Sequence, residues 1–308
     1  MKSQTLFRSF LATLATTTIL QAQEAAFKPG LTVGTLLNLD AGGIPPSDLS
    51  ADAVPVALSD AELRLKLQFA PTLSAQTILV HENGTAAVDQ AFATWQTPGL
   101  QLSFGKQTLP LGLYPSHLIH DPLLQQDLET IVPSVIATKE VGAFSGHLGF
   151  AELGREVFVT VEGTSVPEAR SWPAAVAALD AKWGTDGQAR LSATLGHHSR
   201  IASLGARIPA GPLAVDLEGT ASDGAWVGSD FAALAGVAWK PVPVLELATR
   251  FDARKEHQDG EWEKAVGAGA TLHFAEIAYT AAEWRQELEE EEGTLTLRLG
   301  IEAEFSVP

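Results

Sequence analysis

The sequence predicts an all-β protein, a transmembrane antiparallel β-barrel of about sixteen strands with one long loop folded inward. Three observations predict it. Apolar and polar residues alternate with period 2 through most of the chain. Short and long connections alternate between these segments. Aromatic residues gather at one end of the strands. Period-2 alternation sets one strand face against something oily and the other against water or polar groups.

The N-terminus reads as a secretory leader over residues 1–22. Lys2 and Arg8 supply a positive start, Phe10 to Leu20 is apolar and rich in hydroxyls, and Ala22 offers a cleavage point. Beyond it no segment holds 18 consecutive apolar residues, which excludes membrane helices. Residues 23–308 remain for the barrel.

The first strands are expected near 30–39, 61–70, 74–82, 87–96 and 99–107. Leu63, Leu65, Leu67 and Phe69 alternate with Glu62, Arg64, Lys66 and Gln68. The connections between these strands run long at 40–60, short at Pro71–Leu73, longer at His81–Ala86 and short at Thr97–Gly99.

The remaining strands are expected near 138–150, 155–163, 174–183, 188–196, 201–208, 212–220, 230–240, 244–254, 264–274, 276–285 and 294–305. The last shows the pattern best, with Leu295, Leu297, Leu299, Ile301, Ala303 and Phe305 opposite Thr296, Arg298, Gly300, Glu302 and Glu304. Val266, Ala268, Ala270 and Leu272 likewise oppose Gly267, Gly269 and Thr271. Short turns fall at Ala151–Gly154, Gly184–Gly187, Pro209–Gly211 and Pro241–Pro243, with longer loops between.

The two readings meet in phase at sixteen. An even number of antiparallel strands brings both termini to the short-turn side and puts the long loops opposite. Strands running toward the short turns end in Phe69, Trp95, Phe150, Trp183, Trp239, Phe274 and Phe305, with Ile208 the exception. In a chain only 7% aromatic that bias marks a membrane–water interface. A secreted soluble β-protein that binds a ligand or partner also alternates, but it has no reason for the aromatic girdle.

Phase assigns to the interior Arg64, Lys66, Lys182, Arg190, Arg207, Arg250, Arg254 and Arg298. It adds the acids Glu62, Asp180, Asp216, Glu218, Glu246, Asp252, Glu276, Glu302 and Glu304. Rings of both signs tune which ions pass a pore; the plainer reading is cross-strand pairing in a wet interior.

One segment breaks the rhythm. Residues 108–137 carry Pro110, Pro115, Pro122 and Pro133, and their apolar residues do not alternate. The segment is too rich in Leu, Ile and Val for disorder. It is expected to fold into the barrel and narrow it.

This segment also resembles siderophore porins of the LbtU family. The likeness runs through Phe104-Gly105-Lys106-Gln107-Thr108-Leu109-Pro110-Leu111-Gly112, then His117, Ile119, Asp121-Pro122-Leu123 and Glu129-Thr130. The chain departs from it at Ile131-Val132-Pro133. The GKQ-x-x-P-x-G part is also similar to strand ends of phosphate-selective porins.

The resemblance implies an outer-membrane pore for passive, partly selective diffusion of ferric siderophores, with membrane lipid and lipopolysaccharide as neighbours. A general, phosphate- or sugar-preferring pore is the alternative. Lys106, His117, Arg64, Lys66 and Arg298 would attract anionic oxygens of the chelate. Gln107 and His120 would line the constriction, and Asp121, Asp127 and Glu129 would repel free anions or hold the loop.

Other readings are weaker. His117, His120 and Asp121 suit a transition metal in type, but no second cluster completes a site, and no cofactor is expected. Ser116 and His117 are adjacent, poor geometry for a nucleophile and its base, and no nucleophile elbow, phosphate loop or HExxH is present. An enzyme is not expected; an outer-membrane phospholipase would need a Ser and a His side by side on the outer face.

Without the leader the chain holds 18 basic and 37 acidic residues, net −19, which argues against nucleic acid. The acids Glu287 and Glu289 to Glu292 read as a solvated outer loop. The absence of cysteine fits folding outside the cytoplasm without disulfides. A single sequence leaves a homo-oligomer open, because an interface cannot be read from it.

Overall fold

The computed structural model describes residues 29–44, 56–82, 85–113, 117–119, 123, 130–161, 164–197, 199–224, 230–255, 260–275, 277–289 and 293–307. The predicted leader, residues 1–22, lies outside them.

Sixteen strands form one closed antiparallel barrel. In chain order they are β1 (Gly30–Ile44), β2 (Val56–Ala70), β3 (Leu73–Glu82), β4 (Thr85–Thr97), β5 (Leu100–Thr108), β6 (Ile131–Val141), β7 (Phe144–Val161) and β8 (Thr164–Trp183). They continue with β9 (Gly187–Gly196), β10 (Ser199–Ala210), β11 (Leu213–Gly224), β12 (Phe231–Val242), β13 (Leu245–Lys255), β14 (Trp262–Ala275), β15 (Ala278–Glu287) and β16 (Thr294–Val307). Each strand pairs with its sequence neighbours, and β1 pairs with β16 from Leu31↔Val307 to Ile44↔Leu295 to close the ring. Closure gives every strand a hydrogen-bonded neighbour on both sides around the ring, the condition for a sheet to stand in lipid.

The outer face is oily. Leu67, Leu148, Leu179, Leu191, Leu204, Leu217, Leu272 and Leu297 are all exposed, and the inward positions beside them are polar or small. Exposed apolar surface on this scale makes sense only against lipid. Phe69, Trp183, Trp239, Phe274 and Phe305 are also exposed and stand near the short-turn ends of their strands.

The structure corrects the expected strands between 131 and 173. Residues 131–137 are strand, so the irregular segment is 109–130 rather than 108–137. The expected strand 138–150 is the end of β6, a turn at Gly142, and the start of β7. Gly142 takes φ +61, a backbone open to glycine at little cost. Phe150 therefore lies within β7, and Phe144 stands beside the short turn instead.

The expected turn Ala151–Gly154 is continuous ladder, Ala151↔Ala174 to Gly154↔Ser171, because β7 and β8 rise together as a tall hairpin. Pro133 imitates a loop residue but is tolerated in the strand, because it falls where β6 pairs with β5 alone and β7 joins the ladder only at Ser134.

Candidate functional site

The segment between β5 and β6 enters the barrel. Its two ends are tied where the Leu109 amide donates to the Thr130 carbonyl at 2.9 Å. Leu109 and Leu111 then pack against an apolar plaque on the inner wall, made of Ile136, Ala151, Leu153, Ala174, Val176, Ile201 and Ala232. Leu111 is 1% exposed. Burying such a side chain contributes about 1.5–3 kcal/mol, enough to hold the loop against a wet lumen.

Polar contacts continue the crossing. Gly112, at φ +69, turns the chain. Its amide donates to Ser192 Oγ at 3.2 Å, and its carbonyl accepts from Arg190 Nη1 at 2.9 Å. The Leu113 amide donates to Glu218 Oε1 at 2.9 Å. Leu118 reaches the far side, where a Cβ on Gly267 or Gly269 would lie 2.8 Å from its methyl carbons. The two glycines of β14 are the seat for that side chain.

His117 is the centre of the crossing. Its Nδ1 lies 2.5 Å from Glu246 Oε1 and its Nε2 3.0 Å from Asp216 Oδ2. Both ring nitrogens can donate at once only in the imidazolium. Arg207 donates from Nε to Asp216 Oδ1 at 2.8 Å, and its Nη2 sits against His117 Nε2. Lys240 pairs with the other oxygen of Glu246 at 2.8 Å. Burial lowers the His117 pKa, but the hydrogen bonds to Asp216 and Glu246 outweigh it and hold the value above the ordinary one.

The other expected site residues scatter. Arg64 faces the lumen and donates to Glu62 at 2.6 Å. Arg298 makes a two-pronged pair with Asp40 at 2.7 and 2.8 Å across the β1–β16 seam. Lys66 lines the inner wall with Gln68 and Gln76. Gln107 is inward and buried, its Nε2 without a partner among the described residues. His120, Asp121, Asp127 and Glu129 lie outside the described residues.

Lys106 is a correction. It shares a face of β5 with Leu102 and Phe104, while Ser103 and Gln107 point inward. It pairs with Ala91 on the outer wall and donates to the Val88 carbonyl at 2.7 Å. It is therefore not pore-lining: alternation counted through β5 puts Lys106 out as surely as it puts Gln107 in.

Phase places Arg190, Arg207, Asp216 and Glu246 inward, and cross-strand pairing accounts for Arg190 with Asp180 and Arg207 with Asp216, but residue type alone does not mark them as loop anchors. The glycines on the inward face of β14 were the legible signal, since a polar face that carries no side chain leaves room for another.

No family model matches the chain, and none of the curated proteins does. Solved structures do match. The outer membrane channel DcaP of Acinetobacter baumannii superposes with a TM-score of 0.64 at 12% identity, covering 91% of this chain and 100% of that one. A mutant of the Rh. blastica porin gives 0.62 at 13% identity, covering 90% and 100%. Salmonella typhi OmpF, in complex with daunomycin, gives 0.64 at 9% identity, covering 90% and 98%. At these identities the likeness is one of fold, and the fold is the sixteen-stranded transmembrane barrel of porins.

Proposed function

We propose that the chain is an outer-membrane porin that lets small polar solutes diffuse passively and with partial selectivity. The reading is carried by one observation: a closed barrel, oily outside and polar within, whose interior is entered after β5 by residues 109–113 and 117–118, anchored on β6 to β14. A segment held there narrows the passage and leaves the β1 to β5 wall to meet the solute. In this reading residues 1–22 are the export leader, and the two ends, which an even strand number puts on one side, share the periplasmic face with the short turns.

Ferric siderophores as the solute rest on the sequence resemblance around Gly105–Gly112. With Lys106 outward, Arg64 and Lys66 on the open wall are the cations such a chelate would meet. General diffusion needs neither.

The test uses the chain refolded in detergent. A porin migrates differently on a gel before and after boiling and gives discrete current steps in a planar bilayer. A soluble β-protein does neither and needs no detergent. Reversible block by a ferric siderophore added to one side supports the chelate as solute. Steps indifferent to it leave general diffusion.

A further inference from the structure

We infer that the inner wall of β2 to β5 holds a weak binding site for hydroxyl-rich carboxylates, sugar acids above all, with Lys66 and Phe92 as its two ends. The inference rests on the porin reading and adds a solute class to it.

The wall forms a shallow recess of about 190 Å³, open to the lumen and close to the short turns. That is smaller than an enclosed small-molecule pocket and suits weak contact with one sugar unit at a time. Its composition departs from the rest of the chain. Acids outnumber bases 37 to 20 overall, yet none of the nine lining residues is acidic and Lys66 is the one charge. The neighbouring lumen arginines are matched by carboxylates, Arg64 by Glu62 and Arg298 by Asp40. Lys66 makes no ion pair among the described residues.

Lys66, Gln76 and Phe92 stand opposite one another in a single row across three strands. Two strand spacings, roughly 10 Å, separate the ammonium's strand from the ring's. Gln68, Thr94 and Gln101 flank the row. Planar amides offer donors and acceptors together, which suits hydroxyl groups that do the same.

Phe92 is the unexpected member. It turns an apolar ring into a wet interior, between Gln76 and Gly105. Gly105 makes this arrangement fit, because a Cβ there would lie 2.6 Å from Phe92 Cα. Exposed to water, the ring gains nothing from its position; covered by the C–H face of a pyranose, it buries apolar surface. An ammonium for a carboxylate, amides for hydroxyls and a ring for the sugar face make one recognition surface. Ferric hydroxycarboxylate chelates share the first two features but present no pyranose face.

The test adds trigalacturonate, maltotriose or ferric citrate to the full chain in a planar bilayer. Saturation-transfer NMR on the detergent-solubilised barrel reads binding without conduction. Trigalacturonate is expected to interrupt the current about five- to ten-fold more effectively than neutral maltotriose. Lys66→Met should abolish that difference, Phe92→Leu should weaken both sugars, and Lys182→Met should change neither.

Ferric citrate blocking through Lys66 while Phe92→Leu has no effect would replace the sugar by the chelate and overturn the assignment. Equal responses to both sugars, or no saturation transfer to trigalacturonate, would also overturn it. Saturation transfer lost in Lys66→Met but without current steps would keep the site and remove the pore.

Discussion

His117 Nε2 lies 3.0 Å from Asp216 Oδ2 across 99 residues of chain, so a loop residue and a wall strand share one proton-dependent contact. The contact is surrounded by Glu246, Lys240 and Arg207, which face the ring from β13, β12 and β10. The folded pKa of His117 is raised above 6.5, first against the cost of burial and then by the two carboxylates. A raised value means the docking energy is complete below about pH 6.5 and is lost as pH rises through the folded value. Open-channel noise is expected to be low near about pH 6 and to grow toward about pH 8.5. His117→Asn should flatten that dependence. A noise profile that His117→Asn leaves unchanged would place the titrating group elsewhere.

Leu111 should matter to the loop and little to the barrel. Truncation to Ala removes a buried side chain from the inner plaque and is expected to weaken docking by about 2–3 kcal/mol. Leu111→Asp should release the segment. Both variants should keep the boiling-dependent gel shift, because the strand ladder does not involve residue 111. Conductance should rise, and a broad-specificity protease should cut within 109–130 only in the variants. An unchanged conductance with Leu111→Asp would mean that the segment does not narrow the pore.

Much of this fold was legible because a membrane barrel writes its register into every second residue. The inward set Arg190, Arg207, Asp216 and Glu246 followed from phase alone, and so did the outward leucines of β16. Legibility failed at 131–154, where Pro133 imitates a loop and the glycines of β7 imitate a turn. It failed again at Lys106, where the family resemblance suggested the lumen and parity gives the opposite answer. The anchoring of His117 could not be read at all. A contact between residues 99 or 129 positions apart leaves no local pattern.

Gly267 and Leu118 form a lock that can be tested from both sides. A Cβ on Gly267 would come within 2.8 Å of Leu118 Cδ1, closer than packed carbons approach. Gly267→Val should therefore displace Leu118 and alter conductance, while Leu118→Ala alone should have a smaller effect. In Gly267→Val with Leu118→Ala the contact with Leu118 is relieved and only the tighter approach to Glu283 Oε1 at 3.2 Å remains, so the two effects should be non-additive by about 1 kcal/mol or more. Strict additivity would show that the leucine does not occupy the glycine seat.

Lys106 and Lys66 separate position from sequence likeness. Both are basic, and both were expected to attract anionic oxygens, but only Lys66 stands on the lumen wall. Charge inside a narrow aqueous path changes ion preference, whereas charge on the outer wall is separated from that path by the sheet. Lys66→Glu is expected to shift the permeability ratio toward cations by about two-fold, read as a reversal potential under a salt gradient. Lys106→Gln should leave the reversal potential where it was. Its effect should fall instead on the outer wall, where the Val88 carbonyl loses its donor. A strong loss of anion preference in Lys106→Gln would contradict the register of β5 and return that residue to the pore.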